Sequence, residues 1–361
     1  MSKNSPWSTV AVCVSAVVAA VALATVLPTS SPLDLHEPAA GATPFAAGAT
    51  VDATPVQPPA TTVPSVAVSG PTRSPSNVAE PDPFAGGIFG EHPEAGEQAA
   101  AWRADRPADA AAMQRIADTP AAVWFGDWTT QVTRDVAQVV KAAGRATPVL
   151  VAYNIPGRDC GGYSSGGAAS EAAYAAWIKA FAAGIGGKRA AVILEPDALA
   201  HACGDTTALF RMLTHAVDVL TANPETYVYI DAGDADWLDA GTTAERLRRA
   251  GVVRARGFAV NVSNFVPTGE SVAYGERISD LLGGGPHYVV DTSRNGNGTN
   301  GEWCNPPGRA LGVAPTTKTG KARADAFLWI KTPGESDGDC DGNPPAGTWM
   351  PEYALDLAEA G

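Results

Sequence analysis

The chain has 361 residues, is 45% hydrophobic and carries a formal net charge of −13. That length buries a large core, and that charge excludes nucleic acid and anionic membrane surfaces as natural partners. The single basic stretch, RLRRAGVVRARG, is short and reads as a solvated helix face.

In chain order, the first feature is an apolar segment, Val10–Leu27, with Lys3 before it and Pro28 after it. Residues 1–27 read as a signal peptide or an N-terminal membrane anchor, short for a span of about 20 residues. Residues 28–81 are rich in Pro, Ala and Thr, lack periodicity and read as an extended linker. One catalytic-size domain follows over residues 82–361. Of five cysteines, Cys13 lies in the apolar segment. Cys160, Cys203, Cys304 and Cys340 form an even set that suits two disulfides in an exported protein. No CxxC or His-paired cluster is present, so no metal site is expected.

Seven apolar runs of strand length follow: Ala121–Phe125, Pro148–Tyr153, Ala190–Leu194, Tyr227–Ile230, Gly257–Val260, His287–Val290 and Ala326–Ile330. They lack strict alternation, as strands buried on both faces of a parallel sheet do. Helical patterns lie between them. Thr130–Ala143 places Val132, Val136 and Val139 on one face. Ser170–Gly184 places Ala173, Trp177 and Phe181 there, and Thr206–Leu220 places Leu209, Leu213, Ala216 and Leu220. Repeated strand–helix alternation predicts an α/β fold, a barrel or a doubly wound sheet. No Gly-rich dinucleotide fingerprint or P-loop follows a strand, so the barrel is favoured and no nucleotide cofactor is expected.

In such barrels chemistry collects at the C-terminal strand ends. These ends deliver Trp124 and Asp127; Tyr153, Arg158 and Asp159; Glu195 and Asp197; Asp231, Asp234 and Trp237; Asn261; Asp291 and Arg294; and Lys331, Glu335 and Asp337. Carboxyl groups crowded on one rim raise one another's pKa, which keeps a proton donor beside ionised partners. Glycosidic cleavage needs that pair. Trp124, Trp237 and Trp303 offer flat faces suited to sugar rings. The bland alternative makes the acids helix caps and the indoles core. A second alternative gives the carboxylates a hard cation and a phosphate or enolate substrate, which leaves the tryptophans unexplained.

YNIPGRDCGGYSSGG, ILEPDAL, YIDAGDADWL, VDTSRNGNG, WCNP and LWIKTPGESDG together resemble glycoside hydrolase family 6, the inverting cellulases, over roughly residue 82 to the C-terminus. DPFAGGIF and the segment ending AVWFGDW resemble that family's bacterial opening. The resemblance implies a distorted seven-stranded parallel β/α barrel with an open cleft, and a β-1,4-glucan as partner. It implies Asp197 as general acid, Asp159 as the aspartate that raises its pKa, and Ser165 as holder of the catalytic water. Asp337 matches the candidate base, Asp231 a further cluster member and Tyr153 the tyrosine that distorts the sugar. Trp124, Trp237 and Trp303 match stacking platforms; Lys331 and Glu335 match hydroxyl-binding groups. Arg158 and Asn261 complete the expected substrate contacts. The disulfides would be Cys160–Cys203 and Cys304–Cys340. One departure stands out: Asp234 occupies a position where the family usually has histidine. Short segments from Cys304 to Lys331 and beyond Asp337 favour endo over exo action. A non-catalytic glucan-binding protein would need an acid lost, yet Asp159, Asp197 and Asp337 are present.

Overall fold

The apolar runs do pair into one parallel sheet. The computed structural model describes residues 81–360, so the N-terminal apolar segment and nearly all of the linker lie outside the described residues. Among the described residues, no helix is long and apolar enough to cross a membrane. The elements in chain order are β1 (Ile88–Phe89), α1 (Pro93–Trp102), α2 (Pro107–Ala117), β2 (Val123–Phe125), α3 (Val132–Ala143), β3 (Thr147–Ala152), α4 (Glu171–Ile185), β4 (Ala190–Leu194), α5 (Ala198–His201), α6 (Thr206–Thr221), β5 (Thr226–Asp231), α7 (Ala240–Arg249), β6 (Gly257–Val260), α8 (Thr268–Leu281), β7 (His287–Asp291), β8 (Ala324–Leu328) and α9 (Pro351–Glu359).

Strands β2 through β8 pair in sequence order, all parallel. The short β1 pairs with the start of β3. The curl closes between β2 and β8 through a single bridge, Ala121 to Trp329, with the Ala122 amide donating to the Trp329 carbonyl at 2.8 Å. This is the seven-stranded α/β barrel that was expected, with one thin seam.

Alternation exists in these strands but both phases are apolar. Val149 and Val151 join Ala191, Ile193, Tyr229 and Val289 inside the barrel. Leu150, Ala152, Val192, Leu194 and Val228 face outward against the helices. Each fully buried Leu, Ile or Val side chain contributes roughly 1.5–3 kcal/mol, so a one-residue register slip would gain nothing on either face. The helix stripes are those expected for α3 and α6. In α4 the stripe is Tyr174, Ile178, Phe181 and Ile185; Trp177 packs only at its edge and Ala173 is exposed, because the buried face lies one residue later than predicted. Side-chain caps start α4, α6 and α7: Ser170, Asp205 and Asp239 accept first-turn amides.

No stripe was read for α1, α2 or α9: alanine makes up the buried face of α1 and half that of α2, while α9 buries Tyr353, Leu355 and Leu357 beside two alanines. Ala95, Ala99, Ala112, Met113, Ile116, Ala354, Leu355 and Ala358 form a separate small core against Ala121 and Trp329. That core sits over the seam.

Candidate active site

Three strand-end acids do not face a groove. Glu195, Asp231 and Asp291 are each at most 1% exposed, and each clasps a neighbouring loop through backbone amides. Glu195 accepts from the Asn154 and Ile155 amides, both at 2.9 Å, and so sets the chain leaving β3. Asp231 accepts from the Asp197 amide at 2.9 Å and the Gly233 amide at 3.1 Å, fixing the loops after β4 and β5. Asp291 accepts from Ser263, Ser293, Ile330 and Lys331. A carboxylate is the one side chain with enough acceptor sites to hold several amides at once. Burial pushes Glu195 and Asp231 up to about 7, and raises Asp291. The sequence reading put all these acids on the rim; these three instead act as staples beneath it.

The acids that reach the groove sit on strained or tightly held backbone. Asp197 has φ 67 and precedes the single-turn α5, with no cap hydrogen bond from its side chain. The left-handed turn costs energy that the Asp231 staple offsets. It turns the carboxyl out of the capping position and into the groove. Burial, first, then the charges of Asp231, Asp159, Asp234 and Asp337 push the Asp197 carboxyl well above the usual carboxylate range. Asp159, at φ 57, accepts from the Ser164 amide at 2.7 Å and meets the His201 imidazole at 3.2 Å. Asp337 is held from the other wall. Arg294, fully buried, donates to its Oδ2 at 2.9 Å, and the Asn305 amide does so at 3.0 Å. Asp234, largely buried, has a raised pKa for the same first reason.

The groove encloses about 1660 Å³ and is lined by Trp124, Tyr153, Asp159, Ser165, Asp197, Asp234, Trp237, Trp303, Lys331, Glu335 and Asp337, among others. Trp124 donates its indole N–H to the Ile330 carbonyl at 2.8 Å and meets Tyr153 edge-on at 5.3 Å. Trp237 and Trp303 are 37% and 53% exposed, open for stacking. Tyr153 is buried, and burial and the Asp197 charge keep its hydroxyl protonated. Lys331 lies 3.6 Å from Glu335 and 3.9 Å from Asp337, so its charge serves both. Ser165 is exposed on the 161–167 loop. Cys160–Cys203 and Cys304–Cys340 are disulfide-linked, bracing the loops that carry Asp159 and Trp303. Among the described residues, no three His, Cys, Asp or Glu side chains group as ligands for a metal ion.

Two expected substrate contacts have other partners. Asn261 is fully buried and absent from the groove lining; it donates to the Asp291 carbonyl at 2.8 Å and accepts from Val266. Its place at a strand end suggested a contact, but the side chain turns into the loop. Arg158 lines the groove, yet its guanidinium is committed to Asp127, Ser164 and Tyr153 carbonyls or carboxylate at 2.7–3.0 Å. It organises the loop under Tyr153. Sequence reasoning missed His201 and Asn305; Asp127, noted at the end of the first strand, braces the loop through Arg158 and the Gly167 amide. His201 follows Asp197 by four residues, a spacing that puts both on one turn and could have flagged it.

A parallel barrel with a protonatable carboxyl ringed by carboxylates, above a groove faced with indoles, is the architecture of a glycosidase catalytic domain. Residues 89–361 match the family model for glycosyl hydrolases family 6, and the chain belongs to that family. It is 49% identical over 265 residues to endoglucanase A of Cellulomonas fimi, covering 72% of this chain and 58% of that protein. It is 46% identical over 300 residues to endoglucanase 1 of Streptomyces halstedii, covering 78% of this chain and 92% of that one. Its structure resembles the endoglucanase Cel6 of Mycobacterium tuberculosis in complex with methyl-cellobiosyl-4-deoxy-4-thio-β-D-cellobioside. That match has a TM-score of 0.73 and 46% identity, over 78% of this chain and 99% of that one.

Proposed function

We propose that this protein hydrolyses internal β-1,4-glucosidic bonds of cellulose or a related β-glucan with inversion at the anomeric carbon. The observation that carries the reading is the Asp197 carboxyl, facing the groove with its pKa raised by burial and four neighbouring carboxyl groups. The raised pKa favours its protonated form, which donates to the leaving glycosidic oxygen. A water attacks the opposite face, and Asp337 takes its proton directly or through a further water. Direct transfer requires about 6.5–9.5 Å between the two carboxyl groups. Asp159 supplies negative charge that retains the proton on Asp197. Tyr153, wedged against Trp124, crowds the sugar at the cleavage point, while Trp124, Trp237 and Trp303 stack on rings along the groove. Lys331 and Glu335 bind hydroxyls there.

Endo action is supported by the short segments flanking the groove and by the endoglucanases among its relatives. The two disulfides support an exported protein. The test is proton NMR of cello-oligosaccharide hydrolysis. The first-formed reducing end should be the α-anomer, with viscosity of carboxymethylcellulose falling early. A β-anomer formed first, or no cleavage at all, defeats the reading.

A further inference from the structure

The side chains that surround Asp159 include a histidine from the turn that follows Asp197. His201 closes α5, the single turn that starts at Asp197; its amide donates to the Asp197 carbonyl at 2.9 Å. Its imidazole Nε2 lies 3.2 Å from Asp159 Oδ1. The other face of the arrangement is aromatic: the ring stands edge-on to Trp237 with centroids 4.7 Å apart. All three side chains line the groove. The Cys160–Cys203 disulfide ties the Asp159 segment to the chain just after α5. From behind, Arg246 of α7 donates to the Leu199 and Ala200 carbonyls of the same turn. One four-residue helix therefore touches the groove's proton donor, a neighbouring aspartate and an indole platform.

We propose that His201 is a positioning residue that fixes the Asp159 carboxylate against the Asp197 acid and couples that geometry to the Trp237 platform. This rests on the acid–base reading above. The Nε2–H can donate to Asp159 from the neutral ring and from the cation alike. Asp159, from the loop after β3, pairs with the imidazole; Asp197 from its own turn and Asp234 and Asp236 from the loop after β5 line the same groove, and Arg246 holds the turn's carbonyls. With Asp159 held, its charge stays near Asp197 and helps keep that carboxyl protonated. With Asp159 released, Asp197 loses its proton at a lower pH.

Two variants of the full chain separate positioning from scaffolding. His201→Phe keeps an aromatic edge on Trp237 and removes the donor; His201→Gln restores a donor without the ring. Steady-state kinetics on cellohexaose across pH are read alongside melting temperature. In the Phe variant, kcat should fall about 10-fold or more, as expected for a displaced active-site group, with KM little changed. Its alkaline limb should move to lower pH, and the Gln variant should recover most of the kcat and the limb. A Phe variant with wild-type kcat and pH profile overturns the proposal. So does a kcat loss in both variants with an unmoved limb, which marks a purely structural role. Wild-type protein that fails to cleave cellohexaose refutes the hydrolytic reading instead.

Discussion

The two ends of the barrel bury carboxylates in opposite ways. At the N-terminal end of the strands, Asp325 receives Arg256 in a bidentate pair at 2.8 Å, His287 at 2.8 Å and the Tyr229 hydroxyl at 2.7 Å. Its pKa is held below the ordinary value; burial opposes this, and Arg256 and His287 overcome it. At the C-terminal end, Asp197 and Asp231 have carboxyl neighbours and backbone amides in place of a paired cation, and both are raised. The same desolvation acts at both ends. What differs is the company: Asp325 is paired with cations, whereas Asp197 and Asp231 are not, although Arg294 and Lys331 stand by Asp337 at the same end.

Breaking each end should fail differently. The largest effect is expected from Asp197→Asn, which removes the donor but keeps the shape. Hydrolysis should fall about 10²–10⁴-fold, measured as reducing-sugar release, while melting temperature holds and cello-oligosaccharide binding persists by calorimetry. Next is Asp325→Asn, which leaves Arg256 facing a neutral amide. Unfolding in urea should show a loss of about 3 kcal/mol, with kcat near wild type. The pH response of the two ends also has opposite sign. Stability from Asp325 is present above its unfolded value of about 4 and is lost as pH falls through its depressed folded value. The contribution from Glu195 and Asp231 is full below about 4 and declines as pH rises through about 7. The smallest effect is a shift in profile. Asp234→Asn deletes one charge that raises Asp197, so the alkaline limb of kcat should move to lower pH; an unmoved limb would show that Asp234 does not tune the acid.

Much of this contrast was legible in the sequence and some was not. The seven runs read as strands because apolar residues on both faces leave a continuous signal. Their limits shifted where tertiary bonds intervene: Ala121 bridges to Trp329, so β2 starts at Val123. The two-residue β1 is too short to leave a pattern. The alanine-rich α1 and α2 have little contrast between faces of the kind that marks α3. Acids at strand ends were visible, but whether an acid points into the groove or down onto a neighbour's amides depends on backbone turns at Glu195 and Asp197 that no spacing reveals. The Arg256–Asp325 pair joins residues sixty-nine positions apart, a distance at which a single sequence is silent.

The seam between β2 and β8 is the most thinly bonded joint of the barrel. Between β4 and β5 five residue pairs face each other in register, and prising them apart would break a whole ladder. At the seam, the ladder is replaced by one backbone hydrogen bond from Ala122, aided by the Trp124 indole, under the small core of α1, α2 and α9. Trp124 spans that joint, so any opening there would tilt an indole of the groove wall while the Asp231 staple under Asp197, two strands away, would stay in place.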